Sequence, residues 1–304
     1  MPFGAEITPV EPDPVRTGEG SERDAREAQC VAGAGGLGPP TGEGRKLVPR
    51  CLTIAGSDSG GGAGIQADLK AFAAAGCYGM SAIVALTAQN TTGVTAVHEA
   101  PSDFVHAQLE AVFDDIGVDA AKTGMLFSSR LIEVVADFLE DREVPLVVDP
   151  VMVASSGARL LREDAVDALV SRLFPLATVV TPNLHEAEVL AGATGLPGEL
   201  AERIHARGAA AVIVTGGHGD EAADHLFDGE QHVAFPNERY DVAATHGAGC
   251  THSATLAAGL ARGLTLEEAA REAARVASAA VRAGLADLGA GDGPVDVLHL
   301  QGAA

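Results

Sequence analysis

Lysine is scarce in this chain. Only Lys46, Lys70 and Lys122 occur in 304 residues, and Lys plus Arg reach 20 against 42 Asp plus Glu. The formal net charge of −22 argues against a non-specific DNA or RNA binder, because neutralising phosphates takes Lys and Arg. It points instead to an acidic surface, with adaptation to high salt as the sharper alternative. Cysteine is scarce as well. Four in a chain of this length do not make a disulfide framework, so a reducing, cytoplasmic setting is expected. No uncharged apolar run approaches the roughly 18–20 residues of a membrane helix, so no membrane partner is expected. No Gly-Lys pair occurs, which excludes a P-loop.

The first 50 residues hold 7 of the 15 Pro and 9 of the 37 Gly and show neither helical nor strand periodicity. Residues 1–46 are expected to be a disordered tail, since such a segment buries too little apolar area to offset its ordering entropy. The first 50 residues lack the basic start and apolar core of a secretory signal, and their eight acids against six bases do not suit a mitochondrial presequence. A true start near Leu47 or Val48 is a further expectation. Residues 47–304 are expected to be one domain.

From Cys51 onward the pattern alternates. Strands are expected at 51–55, 80–87, 119–123, 145–149, 177–181 and 210–215. Helices are expected at 63–75, 102–116, 128–141, 163–172, 184–191, 199–207, 248–262 and 265–285. Ser102 is a candidate N-cap, with Phe104, Val105, Leu109, Val112 and Phe113 on one face of its helix. Residues 222–227 and 231–235, joined by Asp228-Gly229-Glu230, read as a hairpin that adds a late antiparallel edge. Repeated strand–helix alternation implies an α/β fold: a mostly parallel sheet with helices on both faces.

Two glycine-rich segments stand out. The first, from Gly56 to Asp68, joins a strand to a helix. Its Gly62-x-Gly64-x-x-Ala67 fits a dinucleotide fingerprint only loosely, and the acid expected about 20 residues on is missing, the next after Asp68 being Glu99. Either a tight turn or a polar ligand site formed with Asp58, Gln66 and Asp68 suits it. The second, Thr245-His-Gly-Ala-Gly-Cys250-Thr, opens a long apolar helix. Successive backbone N–H groups at a helix N-terminus make an anion site, and a phosphoryl group in transfer needs such a cradle. Cys250 lies in that first turn, which favours the thiolate, and a base there could take a proton from an attacking hydroxyl. Asp149 ends a strand, where open α/β sheets place ligands, and Asn183 to Glu186 follow another strand end. Carboxylates at these two ends could hold Mg2+, directly or through water.

These residues, in this order, resemble the ribokinase-like superfamily, and within it the hydroxymethylpyrimidine/phosphomethylpyrimidine kinase family of thiamine biosynthesis. The matching pieces are Ala55-Gly-Ser-Asp58, Gly61-Gly-Ala-Gly-Ile-Gln-Ala-Asp-Leu-Lys70, Thr87-Ala-Gln-Asn-Thr91, Lys122-Thr-Gly-Met-Leu126 and Asp149-Pro-Val-Met152. Thr181-Pro-Asn183 with Glu186-Ala187, Gly216-Gly-His218, Thr245 to Thr251 and Gly293-Pro-Val295 complete them. The resemblance spans roughly residues 51–298. It implies a three-layer α/β/α sandwich and two ATP-dependent phosphorylations. The first acts on 4-amino-5-hydroxymethyl-2-methylpyrimidine and the second on its monophosphate.

The same resemblance implies that Gly56, Asp68, Gln89, Met125 and Val151 line the pyrimidine pocket. Asp68 and Gln89 suit an aminopyrimidine, as a carboxylate accepts from the amino group and an amide pairs with a ring nitrogen. Gly247, Ala248, Gly249 and Cys250 would form the anion hole, with Cys250 as base for the first step. Asn183, Thr215, Gly217 and His246 would face ATP and its phosphates, and Asp149 and Glu186 would position Mg2+. A homodimer is implied, and no nucleic-acid partner. Thr215 stands where many relatives have Lys, while Thr is familiar at this place in pyridoxal kinases of the superfamily. His185 and His252 replace residues that are often apolar and are expected to be surface or helix-face histidines. Pyridoxal kinase is the alternative function in the same class. A catalytically weak pyrimidine-binding regulatory protein is the alternative outside it.

Overall fold

In the computed structural model the described residues are 48–153, 157, 160–162, 164–216, 222–238, 240 and 242–300. The tail expected at 1–46 lies outside them, as does Gly217. The strands are β1 (Arg50–Asp58), β2 (Tyr78–Asn90), β3 (Gly93–Glu99), β4 (Ala120–Thr123), β5 (Leu146–Val148), β6 (Val179–Val180), β7 (Val212–Val214), β8 (Ala223–Phe227) and β9 (His232–Pro236). The helices are α1 (Gly64–Ala74), α2 (Ser102–Asp115), α3 (Ser129–Leu139), α4 (Ala165–Ala168), α5 (Leu184–Ala191), α6 (Pro197–His205), α7 (Ala248–Ala261) and α8 (Leu266–Arg282).

The strands form one sheet in the order β3-β2-β1-β4-β5-β6-β7-β8-β9. Neighbours from β2 through β7 run parallel, while β3, β8 and β9 pair antiparallel at the two edges. Successive strand residues feed opposite layers. Leu52, Ile54, Val148, Val180 and Val212 join the cluster with α2, α3, α5 and α6, whereas Cys51, Val147, Val179 and Ile213 join the one with α1, α7 and α8. The expected three-layer α/β/α sandwich is therefore present. The chain leaves β1 toward β2 on one side and returns to β4 on the other. The gap between β1 and β4 is thus a topological switch point, where such sheets bind ligands at the C-terminal strand ends.

Several local expectations shift. The Gly93–Glu99 edge strand was not expected, because its polar alternation gives no core signal. β1 extends through Gly56 to Asp58, with a register slip against β2 at Ala55/Gly56. The N-cap of α2 is Pro101, and Ser102 sits inside the helix without a capping bond. Asp164 precedes the single turn of α4, which passes into a π-helical turn over Leu169–Leu173 and a 3-10 turn over Phe174–Leu176. On α2, Val105 and Leu109 are buried, whereas Phe104 is 60% exposed and faces away from the core. Leu109→Ala is accordingly expected to cost about 2–5 kcal/mol, and Phe104→Ala no more than about 0.5 kcal/mol, by chemical denaturation.

Candidate active site

The switch point holds a fully buried charge cluster. Thr53 of β1 and Lys122 of β4 are opposite each other in the sheet, and both reach Asp68 of α1. The Thr53 hydroxyl donates to Asp68 Oδ2 at 2.6 Å, and Lys122 Nζ donates to Oδ1 and Oδ2 at 2.9 and 3.1 Å. Asp149, just past β5, brings its Oδ2 to 3.6 Å from the same ammonium. Lys122 and Asp68 are both 0% exposed. Burial opposes the charge on Lys122, but Asp68, Cys250 and Asp149 around it outweigh that and raise its pKa above the usual lysine value. Asp68 is therefore not open to the cleft. It differs in this from the direct pyrimidine contact expected of it, and its oxygens already hold Lys122 and Thr53. Lys122 carried no expected role. The signal for it was a lysine in Ala-Ala-Lys-Thr, a run every residue of which is buried.

The first glycine-rich segment is closed by its own acid. Asp58 accepts from the N–H groups of Gly60, Gly62 and Ala63, and its Oδ2 lies 3.0 Å from His246 Nε2. Burial works against the Asp58 charge, but His246 and these N–H groups hold its carboxyl below the usual range. Gln66 accepts from the Asp58 N–H and donates to Ser57, so it too serves the turn. His246 is accordingly placed against the first glycine-rich loop, packed on Gly62, rather than beside Asn183 and Thr215. A Cβ on Gly247 (φ +83°) would sit 1.9 Å from the Gly62 carbonyl oxygen, so the two glycine-rich segments touch backbone to backbone. From the C-terminal side, Asp292 accepts from both the N–H and the hydroxyl of Thr245.

The second segment opens a long helix, the setting in which backbone N–H groups can hold an anion. Gly247 precedes α7, and Thr251 N–H donates to the Gly247 carbonyl. The N–H groups of Gly249 and Cys250, in the first turn, have no helical acceptor. The Gly64 N–H at the start of α1 points at the Cys250 sulfur, so two helix N-termini converge on one half-buried thiol. That does not make it acidic, as its position alone implied. Burial pushes the thiol up to about 12, Asp68 and Asp149 add to the rise, and Lys122 and Gly64 oppose it.

Gly56, Gln89 and Met125 lie together beside β1. Gly56 N–H donates to the Met125 carbonyl, and Thr87 Oγ1 bonds both the Ser57 carbonyl and Gln89 Oε1. Val151, just past Asp149, packs on the same core cluster as Met125. Across the sheet, Asn183 caps α5 by accepting from Glu186 N–H, and Glu186 accepts from the N–H groups of Asn183 and Met152. Thr215 bridges Asn183 in parallel. Among the described residues no three His, Cys, Asp or Glu side chains converge on a metal position. Asp149 and Glu186 do fit a Mg2+ ion held through water. They are buried close enough that burial and the Asp149 charge push Glu186 up to about 7, a repulsion a divalent cation relieves. The hydroxyls of Thr123, Thr181 and Thr251, at this same rim, are buried without a hydrogen-bond partner among the described residues.

The phosphomethylpyrimidine kinase family matches residues 58–296. The chain belongs to that family. It is 52% identical over 256 residues to a hydroxymethylpyrimidine/phosphomethylpyrimidine kinase of Rhizobium meliloti, covering 82% of this chain and 96% of that one. A protein of the same name from Streptomyces coelicolor is 46% identical over 254 residues, covering 82% and 94%. Among solved structures, the ADP complex of Bacillus subtilis pyridoxal kinase superposes with a TM-score of 0.77 at 41% identity, covering 84% of this chain and 99% of that one. Phosphomethylpyrimidine kinase from Clostridium difficile gives 0.67 at 41% identity, covering 74% and 96%. The architecture is thus ribokinase-like. His185 is exposed, as expected, whereas His252 is 4% exposed on its helix, with Nε2 3.1 Å from Asp224 Oδ2 and outside hydrogen-bond alignment.

Glu186 titrates with a definite sign. Its folded pKa of about 7 lies above the usual 4.5, so the folded state holds the extra proton. Stability is then lost as pH rises from about 4.5 to 7 and stays reduced above that. Glu186→Gln is expected to raise stability at pH 8 by up to about 3 kcal/mol, less about 1 kcal/mol for one N–H bond the amide cannot accept. Melting curves across pH 5 to 8 should show that advantage shrinking toward pH 5.

Proposed function

We propose that this chain phosphorylates 4-amino-5-hydroxymethyl-2-methylpyrimidine with ATP and then phosphorylates the monophosphate to the diphosphate. The observation that carries the reading is the Gly247-Ala248-Gly249-Cys250 turn at the switch point. It puts N–H groups and a thiol at one helix start, and Gly64, packed on the Gly56 carbonyl, directs its N–H at that thiol. The relatives bearing the matching name, at 46–52% identity over nearly their whole length, support the substrate.

Gly56, Gln89, Met125 and Val151 form the pyrimidine wall. Asp68 acts on that wall indirectly, by fixing Lys122 beneath it. ATP takes the side of Asn183 and Thr215, with Gly217 assigned there on resemblance alone. His246 braces the anion turn through Asp58. In the first step the Cys250 thiolate removes the hydroxymethyl proton as that oxygen bonds to the γ-phosphorus and the bond to the ADP oxygen breaks. The proton then passes from sulfur to solvent. The N–H groups of 249 and 250 take the charge on the transferring oxygens. In the second step the attacking phosphate oxygen is already ionised, so Cys250 matters less. Asp149 and Glu186 would hold Mg2+ through water, and the ion would neutralise phosphate charge. A cytoplasmic homodimer completes the proposal on family resemblance, and the free thiols of Cys51, Cys77 and Cys250 suit a reducing compartment.

Because the ligand-free thiol sits near pKa 12, the first phosphorylation is expected to speed up about tenfold per pH unit between about pH 6 and 8, with the second showing no such slope. Cys250→Ala should slow the first step far more than the second, and equal losses would sink the base assignment.

A second reading, pyridoxal kinase, is favoured by the TM-scores of 0.77 and 0.76 to pyridoxal kinases and by Thr215. ATP consumption with hydroxymethylpyrimidine and pyridoxal side by side, products resolved by mass, separates the two. A pyrimidine diphosphate product supports the proposal; preference for pyridoxal replaces the substrate and keeps the phosphoryl transfer.

A further inference from the structure

We infer that Asp224 is a positioning residue for the nucleotide. From its buried place on β8 it fixes the Gly216 N–H beside Thr215 and meets His252 on α7. The ATP side of the cleft is thereby held in register with the helix that carries Cys250. This rests on ATP taking the side of Asn183 and Thr215.

The strand β8 alternates, with Asp224 and Leu226 as its two buried positions. Leu226 joins the apolar cluster with α7 and α8, and the same periodicity turns Asp224 toward that layer. A carboxylate there costs free energy unless its oxygens are satisfied, so an apolar residue would serve the strand alone. The oxygens of Asp224 are spent on three separate segments. Oδ1 accepts from the Gly216 N–H at 2.9 Å and from Asn237 Nδ2 at 2.9 Å. Oδ2 lies 3.1 Å from His252 Nε2. Gly216 follows Thr215 at the end of β7, and Thr215 in turn donates its N–H to the Pro182 carbonyl and bridges Asn183. A Cβ on Gly216 would sit 1.8 Å from the Ala223 carbonyl oxygen, so the backbone at 216 lies directly against the start of β8. His252 stands on α7 two residues past Cys250. One carboxylate thus links the strand end assigned to ATP with the N-terminal part of the helix assigned to phosphoryl transfer. An alternative is that Asp224 only secures the β7–β8 edge of the sheet.

The two accounts differ in which constant moves. A positioning residue for ATP changes the affinity for ATP and leaves the affinity for the pyrimidine alone. A brace changes the fraction of folded chain, which lowers kcat and leaves both KM values in place. The measurement is KM for ATP and for hydroxymethylpyrimidine in the full chain carrying Asp224→Ala or Asp224→Asn. Calorimetric titration with ADP, without any pyrimidine, accompanies it.

Asp224→Ala is expected to raise KM for ATP and Kd for ADP about tenfold, as for one lost charge-assisted hydrogen bond, and to leave KM for the pyrimidine within about twofold. Asp224→Asn keeps an oxygen for Gly216 and Asn237 and is expected to bring both nucleotide constants back to within about threefold of the unaltered chain. Unchanged nucleotide constants in Asp224→Ala, or equal losses toward both substrates, would overturn the inference. So would a loss in Asp224→Asn as large as that in Asp224→Ala. An unaltered chain that binds ADP but phosphorylates no pyrimidine sinks the proposed function alone, and the calorimetric comparison still decides on Asp224. Asp224→Ala leaves the buried Gly216 N–H without its acceptor and stands at risk of not folding. In that case hydrogen exchange on the unaltered chain decides. ADP is expected to slow exchange in peptides spanning 212–216 and 223–227, and hydroxymethylpyrimidine alone is not. No protection of 223–227 by ADP, or the same protection by the pyrimidine, overturns the inference.

Discussion

The ion pair between Lys122 and Asp68 ties together the parts of this molecule that matter for chemistry. It joins the central strand to the first helix behind the glycine-rich turn, and Asp149 brings in the next strand end. Both partners have lost all contact with water, so each depends on the other to remain charged, and removing either would leave an uncompensated buried charge. The sheet therefore carries a built-in electrostatic reference point at its switch point. Carboxylates elsewhere at the rim are arranged around it: Asp149 shares its ammonium, while Glu186 sits farther along, held by backbone N–H groups and repelled by Asp149.

The two glycine-rich segments, similar in composition, have different fates. In the first the N–H groups are consumed by Asp58, which makes a self-contained turn that accepts His246 from the other segment. In the second no internal acid fills the first turn of α7. Composition alone does not separate these outcomes. What separates them is an acid placed where the turn can fold back on it, as Asp58 is placed before Gly60.

Much of the fold was legible because parallel strands buried on both faces read as apolar runs between amphipathic helices. The hairpin of β8 and β9 was legible from Asp228-Gly229. The opposite edge was not: Gly93–Glu99 is half-exposed, and its alternation of Thr95 and His98 with small apolar residues resembles a loop. Site positions were legible as motifs, but their working partners were not. Lys122 was quoted within a motif without a role, since a lone lysine carries no spacing signal. The acidity expected of Cys250 came from its place at a helix start, and burial with two neighbouring carboxylates outweighs that local effect. His246 was legible as part of the anion turn, yet its partner Asp58 lies 188 positions away and only the fold brings them together.

The backbone contact between Gly62 and Gly247 has a consequence for how this sequence can change over time. At position 247 a side chain meets the Gly62 carbonyl oxygen, and at position 62 it meets the His246 ring. Neither residue can acquire even a methyl group unless the opposite segment withdraws, and that segment is itself anchored through Asp58 and His246. Stepwise substitution has no neutral first step at either position. The pair is closed to gradual drift, and the surrounding turns are free to vary only in ways that keep these two backbones in touch.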